Sequence, residues 1–234
     1  MINTSFDVYS DTPSGKDPDS HSPTLRKYHQ ILWSKTLPNG SRFDLDDETP
    51  RLLHHNSHLG EFFLSSDSIG HTYKNTKTMA HIVGQVPSTE LDTFFSACST
   101  IGGYIIFPAK KIKNKMTING ARGVNHKIKD RFDLTLECIR LHYLNRTSPL
   151  TEVLQRYAVF FRLFEDFEGY VDFFHLQDLV KEDYSSVRFF LPFSTFGQPP
   201  LPRTLDEYLS YKENMMNFVA QRNKRVLEQM EISQ

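Results

Sequence analysis

The sequence is poor in the features that would place a protein outside the cell or in a membrane. It has only two cysteines, Cys98 and Cys138, so no disulfide framework can form. The chain begins Met1-Ile2-Asn3-Thr4-Ser5, without a basic start or an apolar run, which does not fit a signal peptide. A continuous apolar stretch of about 18 residues, as a membrane span needs, is also missing. These absences predict a cytoplasmic protein without membrane contact.

Net charge is lacking over the whole chain but not locally. The sum is −1, so no overall field draws the protein to nucleic acid. Residues 105–150, the basic segment, hold ten Lys or Arg against three Asp or Glu. Residues 151–213, the acidic segment, hold six against eleven, and the short stretch 42–50 is acidic and expected to be exposed.

Familiar enzyme motifs are absent as well. Ser14-Gly15-Lys16-Asp17 has the Gly-Lys pair of a phosphate loop, but Ser10 stands where that motif needs Gly and Asp17 where it needs Ser or Thr. There is no Gly-x-Gly-x-x-Gly, Gly-x-Ser-x-Gly or His-Glu-x-x-His. The sequence therefore indicates no particular cofactor, and the cofactor stays unknown.

What the chain does contain predicts one folded α+β domain over residues 1–234. Nineteen Phe and ten Tyr supply ample area for a core, since each buried ring removes roughly 150–250 Å² from water. The N-terminal half is mixed with a small sheet, and the C-terminal half is helical and ends in a long helix. Residues 1–22 are expected to form an extended arm or loop.

Local patterns give the elements of this fold. Ser22-Pro23 and the capping box Thr204–Glu207 are helix starts, the latter opening a helix to about Met230. Strands are predicted at 60–66, 79–86 and 103–108, and further helices at 90–97 and 130–143.

Six segments carry a family resemblance: Tyr9–Asp19, Thr24–His29, Leu32–Lys35, Ile118–Gly123, Asp130–Arg140 and Gly169–Phe174. Together they resemble an uncharacterised bacterial family labelled only as a domain of unknown function, over most of the chain. The resemblance implies a bacterial, cytosolic, single-domain protein. It implies no reaction, substrate or catalytic residue.

The first candidate site is a polar cluster near the N-terminus. Arg26 and His29 are three residues apart and would share a helix face. An Arg fork suits phosphate or carboxylate, and His moves protons near neutral pH. The other interpretation is a loop tied down by Asp side-chain turns and surface ion pairs. The cluster consists of Asp11, Lys16, Asp17, Asp19, Arg26, His29 and Lys35.

The second candidate lies in the basic segment. Asn119-Gly120-Ala121-Arg122-Gly123 predicts a tight turn that offers an Arg and backbone N–H groups to a phosphate. The alternative is a solvated basic face that balances the acidic segment, within the protein or across a dimer. The cations are Lys110, Lys111, Lys113, Lys115, Arg122, Lys127, Lys129 and Arg131.

Two smaller groups favour ordinary structural roles. His54 and His58 at i, i+4 could share a metal on a helix, but no complete ligand set is nearby, so no metal site is predicted. Asp133, Glu137 and Arg140 fit the first turns of a helix with an i, i+3 ion pair better than a carboxylate site.

The leading hypothesis is action on, or binding of, a phosphate-bearing ligand such as RNA, DNA or a nucleotide. Arg26, His29 and Lys35 would be the catalytic groups, and Lys16, Arg122, Lys127 and Arg131 would bind the ligand. If the protein is an enzyme, the reaction is hydrolysis or transfer by acid–base chemistry. A role in stress response or phage defence fits this hypothesis.

The rival hypothesis is a non-enzymatic interaction or structural protein, with a homodimer as one of its forms. There the basic and acidic segments meet each other or a partner. The first hypothesis requires the N-terminal cluster and Arg122 to converge in one cleft, and the second requires them to be scattered.

Overall fold

The computed structural model describes residues 1–46 and 52–232, and this part of the chain forms an α+β fold, as predicted. Residues 47–50 of the acidic stretch 42–50 lie outside the described residues. The strands are β1 Lys35–Thr36, β2 Arg42–Phe43, β3 Leu53–Ser57, β4 Gly60–Ser68 and β5 Tyr104–Pro108. The helices are α1 Pro18–His21, α2 Pro23–Trp33, α3 Ala80–Val83, α4 Ser88–Cys98, α5 Ile118–Val124, α6 Phe132–Tyr143, α7 Thr151–Arg156, α8 Ala158–Arg162, α9 Phe167–Phe173 and α10 Leu205–Ile232.

The larger sheet is antiparallel with the order β3-β4-β5. Its central strand β4 pairs Leu64 with Pro108 and Ser68 with Tyr104 of β5. The apolar side chains of β5 are fully buried, as expected for a β-branched and aromatic strand. Because β4 runs through the middle of the sheet, its polar residues Ser66 and Asp67 are buried as well.

The C-terminal half packs helices around an aromatic core. Phe164 is wholly buried, and its ring centroid lies 5.0 to 5.4 Å from the rings of Phe173, Phe174 and Tyr170. Such edge and tilted contacts add to the energy of area burial. The Phe stripe of the sequence is therefore core, as its helical spacing predicts.

The long helix α10 begins at the predicted capping box. The backbone N–H of Glu207 donates to Oγ1 of Thr204 at 3.2 Å. The buried residues Tyr208, Tyr211 and Met215 follow at helical spacing. Their face packs on α3, on α4 and on the short helical turn before β5. No helix in the described ranges is long and apolar enough to cross a membrane.

Two local predictions are wrong. Residues 79–86 form a 3₁₀ turn and α3 rather than a strand, because Met79, Ile82, Val83 and Val86 are buried at helical spacing. The Arg122 turn is instead the helix α5, whose start is capped by Thr117 accepting from the backbone N–H of Gly120 at 3.3 Å.

The N-terminal residues expected to form an extended arm contain a short helix and contact the sheet. The N–H of Val8, a buried residue, donates to the carbonyl of Ser99 at 3.0 Å. Helix α1 packs against β4, with Asp17 as its N-cap and Pro18 buried. This segment thereby brings polar side chains close to the buried polar residues of β4.

Gly103 is the tightest backbone contact before β5 and gives the first prediction. A Cβ atom there would lie 2.0 Å from the carbonyl oxygen of Cys98, which is backbone and cannot turn aside. We expect Gly103→Ala to lower the free energy of unfolding by about 1–3 kcal/mol. Urea unfolding followed by the fluorescence of the single, buried Trp33 measures it.

The matched control is Gly123→Ala in α5, where an added Cβ meets nothing within 4 Å. That change should leave stability unchanged or raise it by up to about 1 kcal/mol, because Ala favours a helix. Equal effects of the two substitutions would contradict the steric explanation.

Candidate functional site

Arg122 is the centre of a buried ionic site. It lies on α5, its side chain is 0% exposed, and its Nη1 donates to Oδ2 of Asp67 on β4 at 2.5 Å. Nη1 also donates to the carbonyl of Ser68 at 3.2 Å, and Nε donates to the hydroxyl of Thr135 on α6 at 3.3 Å. The guanidinium thus joins two helices to the central strand, which explains why so short a helix has a fixed place.

Asp130 completes the site from the other side. Its Oδ1 is 3.3 Å from Nη2 of Arg122, and its carbonyl accepts from that Nη2 at 3.1 Å. The residue has a φ of +65°, a left-handed conformation that is uncommon outside glycine and is tolerated by Asp. Oδ2 of Asp130 lies 3.8 Å from Nδ1 of His71, which borders solvent.

Asp19 of α1 adds a third carboxyl group. Its Oδ1 is buried and has no hydrogen-bond partner among the described residues. Asp67, Asp17 and Asp130 act on it electrostatically, and Arg122 is the cation that opposes them. We call Asp19, Asp67, Arg122 and Asp130 the Arg122 cluster. It holds three carboxyl groups and one guanidinium.

The excess of carboxyl groups changes their acidity. Burial, then Asp67 and Asp17, raises the pKa of Asp19 to about 8. Burial raises the pKa of Asp67 to about 7, although the adjacent Arg122 opposes the rise. Burial acts to lower the pKa of Arg122, but Asp67, Asp130 and Asp19 together raise it above the ordinary value. At neutral pH Asp19 is therefore a protonated acid beside a permanent cation.

A cavity of about 200 Å³ adjoins the cluster, because two of its lining residues contact cluster members: the Ser68 carbonyl accepts from Arg122, and His71 lies beside Asp130. Its lining includes Tyr9 and the buried Tyr104. Burial, and after it Asp19, raises the pKa of Tyr104 well above its usual value. The phenols therefore stay protonated and can donate hydrogen bonds to a ligand.

The predicted ligand-binding residues divide into two pairs. Lys16 and Lys127 are exposed, and neither forms an ion pair with any residue that the structure describes. Arg122 and Arg131 are buried: Arg131 pairs with Asp133 and donates to the carbonyl of Pro200 at 2.8 Å. A phosphate therefore finds exposed lysines here but no exposed arginine of this set.

The predicted catalytic residues do not meet one another. Arg26 is half-buried and donates to the carbonyl of Leu52 at 3.2 Å. His29 is wholly buried, with Nε2 2.8 Å from the Ser66 hydroxyl and Nδ1 accepting from Nε1 of Trp33 at 2.8 Å. Burial, with Arg222 adding to it, lowers the pKa of His29 to about 3, so it stays neutral. Lys35 lines a cleft that does not include Arg26 or His29, and its Nζ lies 5.3 Å from the centroid of the Trp33 ring.

His54 lies on β3 rather than on a helix, and His58 lies in the turn after it. His54 contacts Asp46 and Glu61 at 3.3 and 3.1 Å. Across residues 1–46 and 52–232, no group of three or more His, Cys, Asp or Glu side chains is arranged to hold a metal ion.

Convergence is thus partial. The N-terminal cluster reaches Arg122 through Asp19, whereas Arg26, His29 and Lys35 lie elsewhere. The sequence did not indicate Asp67, Asp130 or His71 as site residues. A usable signal was present: Ser65-Ser66-Asp67 places three polar residues inside an apolar strand, and a buried carboxylate needs a cation or a proton.

Comparison with known proteins gives a family match. Residues 2–226 match a "Family of unknown function (DUF6994)". No curated protein and no solved structure is detectably similar to the chain.

The raised pKa of Asp19 predicts a stability effect with a definite sign. The folded protein keeps a proton that the unfolded chain loses between about pH 4 and pH 8, so the free energy of unfolding falls as pH rises through this window. Asp19→Asn removes that loss. We expect the variant to be more stable than the parent at pH 8 by on the order of 2 kcal/mol, and equally stable near pH 4.

Urea unfolding at several pH values measures this difference. Asp206→Asn is the control, because Asp206 is an exposed acid in the first turn of α10 and lies outside the Arg122 cluster; this change should alter stability by less than about 1 kcal/mol at any pH. A destabilised Asp19→Asn variant at pH 8 would show that Asp19 is held as an anion instead.

Proposed function

We propose that this chain, which belongs to the DUF6994 family of unknown function, is an acid–base catalyst of hydrolysis or transfer on a phosphate-bearing ligand. Asp19 is the proton donor, Asp67 and Arg122 fix its surroundings, and Lys16 and Lys127 bind the phosphate. The observation that carries the proposal is the carboxyl of the half-buried Asp19, whose buried Oδ1 has no hydrogen-bond partner among the described residues, near two further carboxyl groups.

The chemistry of Asp19 supports a donor role. A general acid works best when its pKa lies near the operating pH, and burial brings Asp19 to about 8. Asp67 is a second carboxyl with a different partner, because Arg122 bonds it directly. Two carboxyl groups with different environments can divide the roles of acid and base.

The position of the lysines supports a phosphate ligand. Lys16 is three residues before Asp19, and Lys127 is three residues before Asp130. Three residues span at most about 11 Å, so the Cα atom of each lysine lies within about 11 Å of the Cα atom of a cluster residue. Both are exposed. The cluster itself has a surplus of carboxyl groups and would repel a phosphate. The anion is therefore expected at the lysines and the leaving group at Asp19.

A second candidate function is partner binding through the two charged segments. No ion pair joins residues 105–150 to residues 151–213 within the part of the chain that the structure describes. Four lysines of the basic segment are exposed, and none of them forms a described ion pair with the acidic segment: Lys110, Lys111, Lys113 and Lys115. These charges suit a second copy of this chain or another protein.

Asp19→Asn should remove catalysis but not ligand binding. We expect turnover to fall by about 10²–10⁴-fold, because the amide cannot donate a proton to the leaving group. The assay uses p-nitrophenyl phosphate, bis(p-nitrophenyl) phosphate, nucleoside triphosphates and single-stranded RNA with the parent protein and the variant. The control is Asp206→Asn, an exposed acid in the first turn of α10. Turnover that survives Asp19→Asn would rule out this acid.

Lys16→Ala/Lys127→Ala should weaken binding of a fluorescein-labelled single-stranded RNA. Each lost phosphate contact lowers the slope of log affinity against log salt by about one. Lys181→Ala, an exposed lysine of the acidic segment, is the matched control. The absorbance of the purified protein in the nucleic-acid band, before and after a high-salt wash, reports co-purified ligand. A plain protein spectrum with a salt-sensitive dimer in sedimentation would favour partner binding instead.

A further inference from the structure

Lys35 lines the largest cavity among those described, an open cleft of about 810 Å³. The cleft lies between the β1–β2 turn, helix α9 with the residues after it, and the end of α10. The residues at its floor are Lys35, Phe173, His175 and Gln229. None of these belongs to the Arg122 cluster.

The amine of Lys35 has neutral neighbours. Its Nζ is 3.2 Å from Nε2 of His175 and 3.5 Å from Oε1 of Gln229. It also lies over two rings, 4.7 Å from the centroid of Phe173 and 5.3 Å from that of Trp33. No described carboxylate is within ion-pair distance of Nζ, and the Lys35 side chain is half-buried.

A second cation lies near the Trp33 ring. Arg222 of α10 is buried and donates to the carbonyls of Phe174, Gly102 and Tyr104. Its guanidinium lies 5.7 Å from the centroid of Trp33, on whose ring Lys35 also packs. No described carboxylate pairs with Arg222.

The amine of Lys35 is consequently easy to deprotonate. Burial, with Arg222 adding to it, lowers the pKa of Lys35 to about 7, and Asp172 opposes them. Burial, Lys35 and Arg222 lower the pKa of His175 to about 3, so His175 is a neutral acceptor. Arg225 and Glu228 are the charged residues that α10 contributes to the lining of the cleft.

The rim of the cleft is acidic. Five carboxylates line it against one permanent cation, Arg225, which is itself paired with Asp178 at 2.6 Å. A cleft with one sign of charge concentrates ligands of the opposite sign. The carboxylates are Glu165, Asp166, Glu168, Asp172 and Glu228.

We propose that this cleft is a second ligand site, which takes an organic cation bearing an aldehyde or ketone, and that the Lys35 amine adds to the carbonyl carbon. The nitrogen lone pair forms the C–N bond, and a proton from the nitrogen passes to the carbonyl oxygen. The resulting hydroxyl then leaves as water together with the second nitrogen proton, the nitrogen lone pair forms the C=N bond to Lys35, and addition of water reverses the step. His175 accepts a hydrogen bond from the amine and is a positioning residue.

The test is reductive trapping with two aldehydes of opposite charge. The probes are 4-formyl-N,N,N-trimethylanilinium and 4-formylbenzoate, each with sodium cyanoborohydride, which delivers hydride to the C=N carbon. About half of the Lys35 amine is unprotonated at pH 7, against about 1 in 2,500 for an exposed lysine. We expect the cationic probe to label Lys35 about 10²–10³-fold faster than exposed Lys110, with a midpoint near pH 7, as read by peptide mass spectrometry.

Two variants separate the parts of the proposal. Lys35→Met should abolish labelling at this peptide, and Glu165→Gln/Glu168→Gln should slow the cationic probe without slowing the anionic one. If Lys35→Met does not fold, the rim variant alone carries the test. Labelling of Lys35 no faster than that of Lys110 would overturn the amine step, and preference for the anionic probe would overturn the ligand class. Asp19→Asn should label like the parent, which distinguishes this site from the proposed acid.

Discussion

The contact between the guanidinium of Arg122 and the carboxylate of Asp67 organises the middle of the molecule. It joins α5 to the central strand, and Thr135 and Asp130 attach α6 and the turn before it to the same cation. Removing one partner of a buried pair leaves an uncompensated charge and typically costs 3–5 kcal/mol. The guanidinium of Arg122 therefore has a structural role. The carboxyl groups around it outnumber it, and they are the groups available for acid–base chemistry.

Arg222 produces the opposite result with the same side chain. Its described hydrogen-bond partners are all backbone carbonyls, so no described carboxylate neutralises its charge. That positive charge therefore disfavours protonation of nearby basic groups. The groups near it, His29, Lys35 and His175, all have lowered pKa values. One interior therefore contains an acid that keeps its proton and an amine that loses one. Burial is the largest cause of both shifts, and neighbouring charges add to it: Asp67 and Asp17 at Asp19, and Arg222 at Lys35.

The fold was largely readable from the sequence, and the site was not. The capping box at Thr204, the strand at 103–108 and the Phe stripe depend on local spacing, which the sequence displays directly. The prediction of a strand at residues 79–86 was wrong because a short apolar run fits a strand and a helix equally well. Arg122 was singled out correctly as a special residue but was expected on an exposed turn. Its burial depends on Asp67, more than fifty residues away, and no local pattern encodes such a pairing.

The same limit applies to the predicted catalytic group. Arg26 and His29 are three residues apart on one helix, yet one bonds a carbonyl near β3 and the other a hydroxyl in the sheet. Asp19 is one of three acids in the polar cluster predicted near the N-terminus, and the packing of α1 on β4 makes it different from Asp17. Spacing can place residues on a face, but burial decides which of them change their chemistry.

The carboxyl of Asp19, whose Oδ1 has no described hydrogen-bond partner, has a consequence for which substitutions accumulate in evolution. A carboxyl that stays protonated at neutral pH lowers the stability of the folded state, because the unfolded chain releases that proton. Asn has nearly the same shape and does not cause this loss. Mutation without selection for chemistry would therefore tend to replace this aspartate while the surrounding core persisted. Lineages that keep the acid at this position would be paying in stability for something the fold alone does not need.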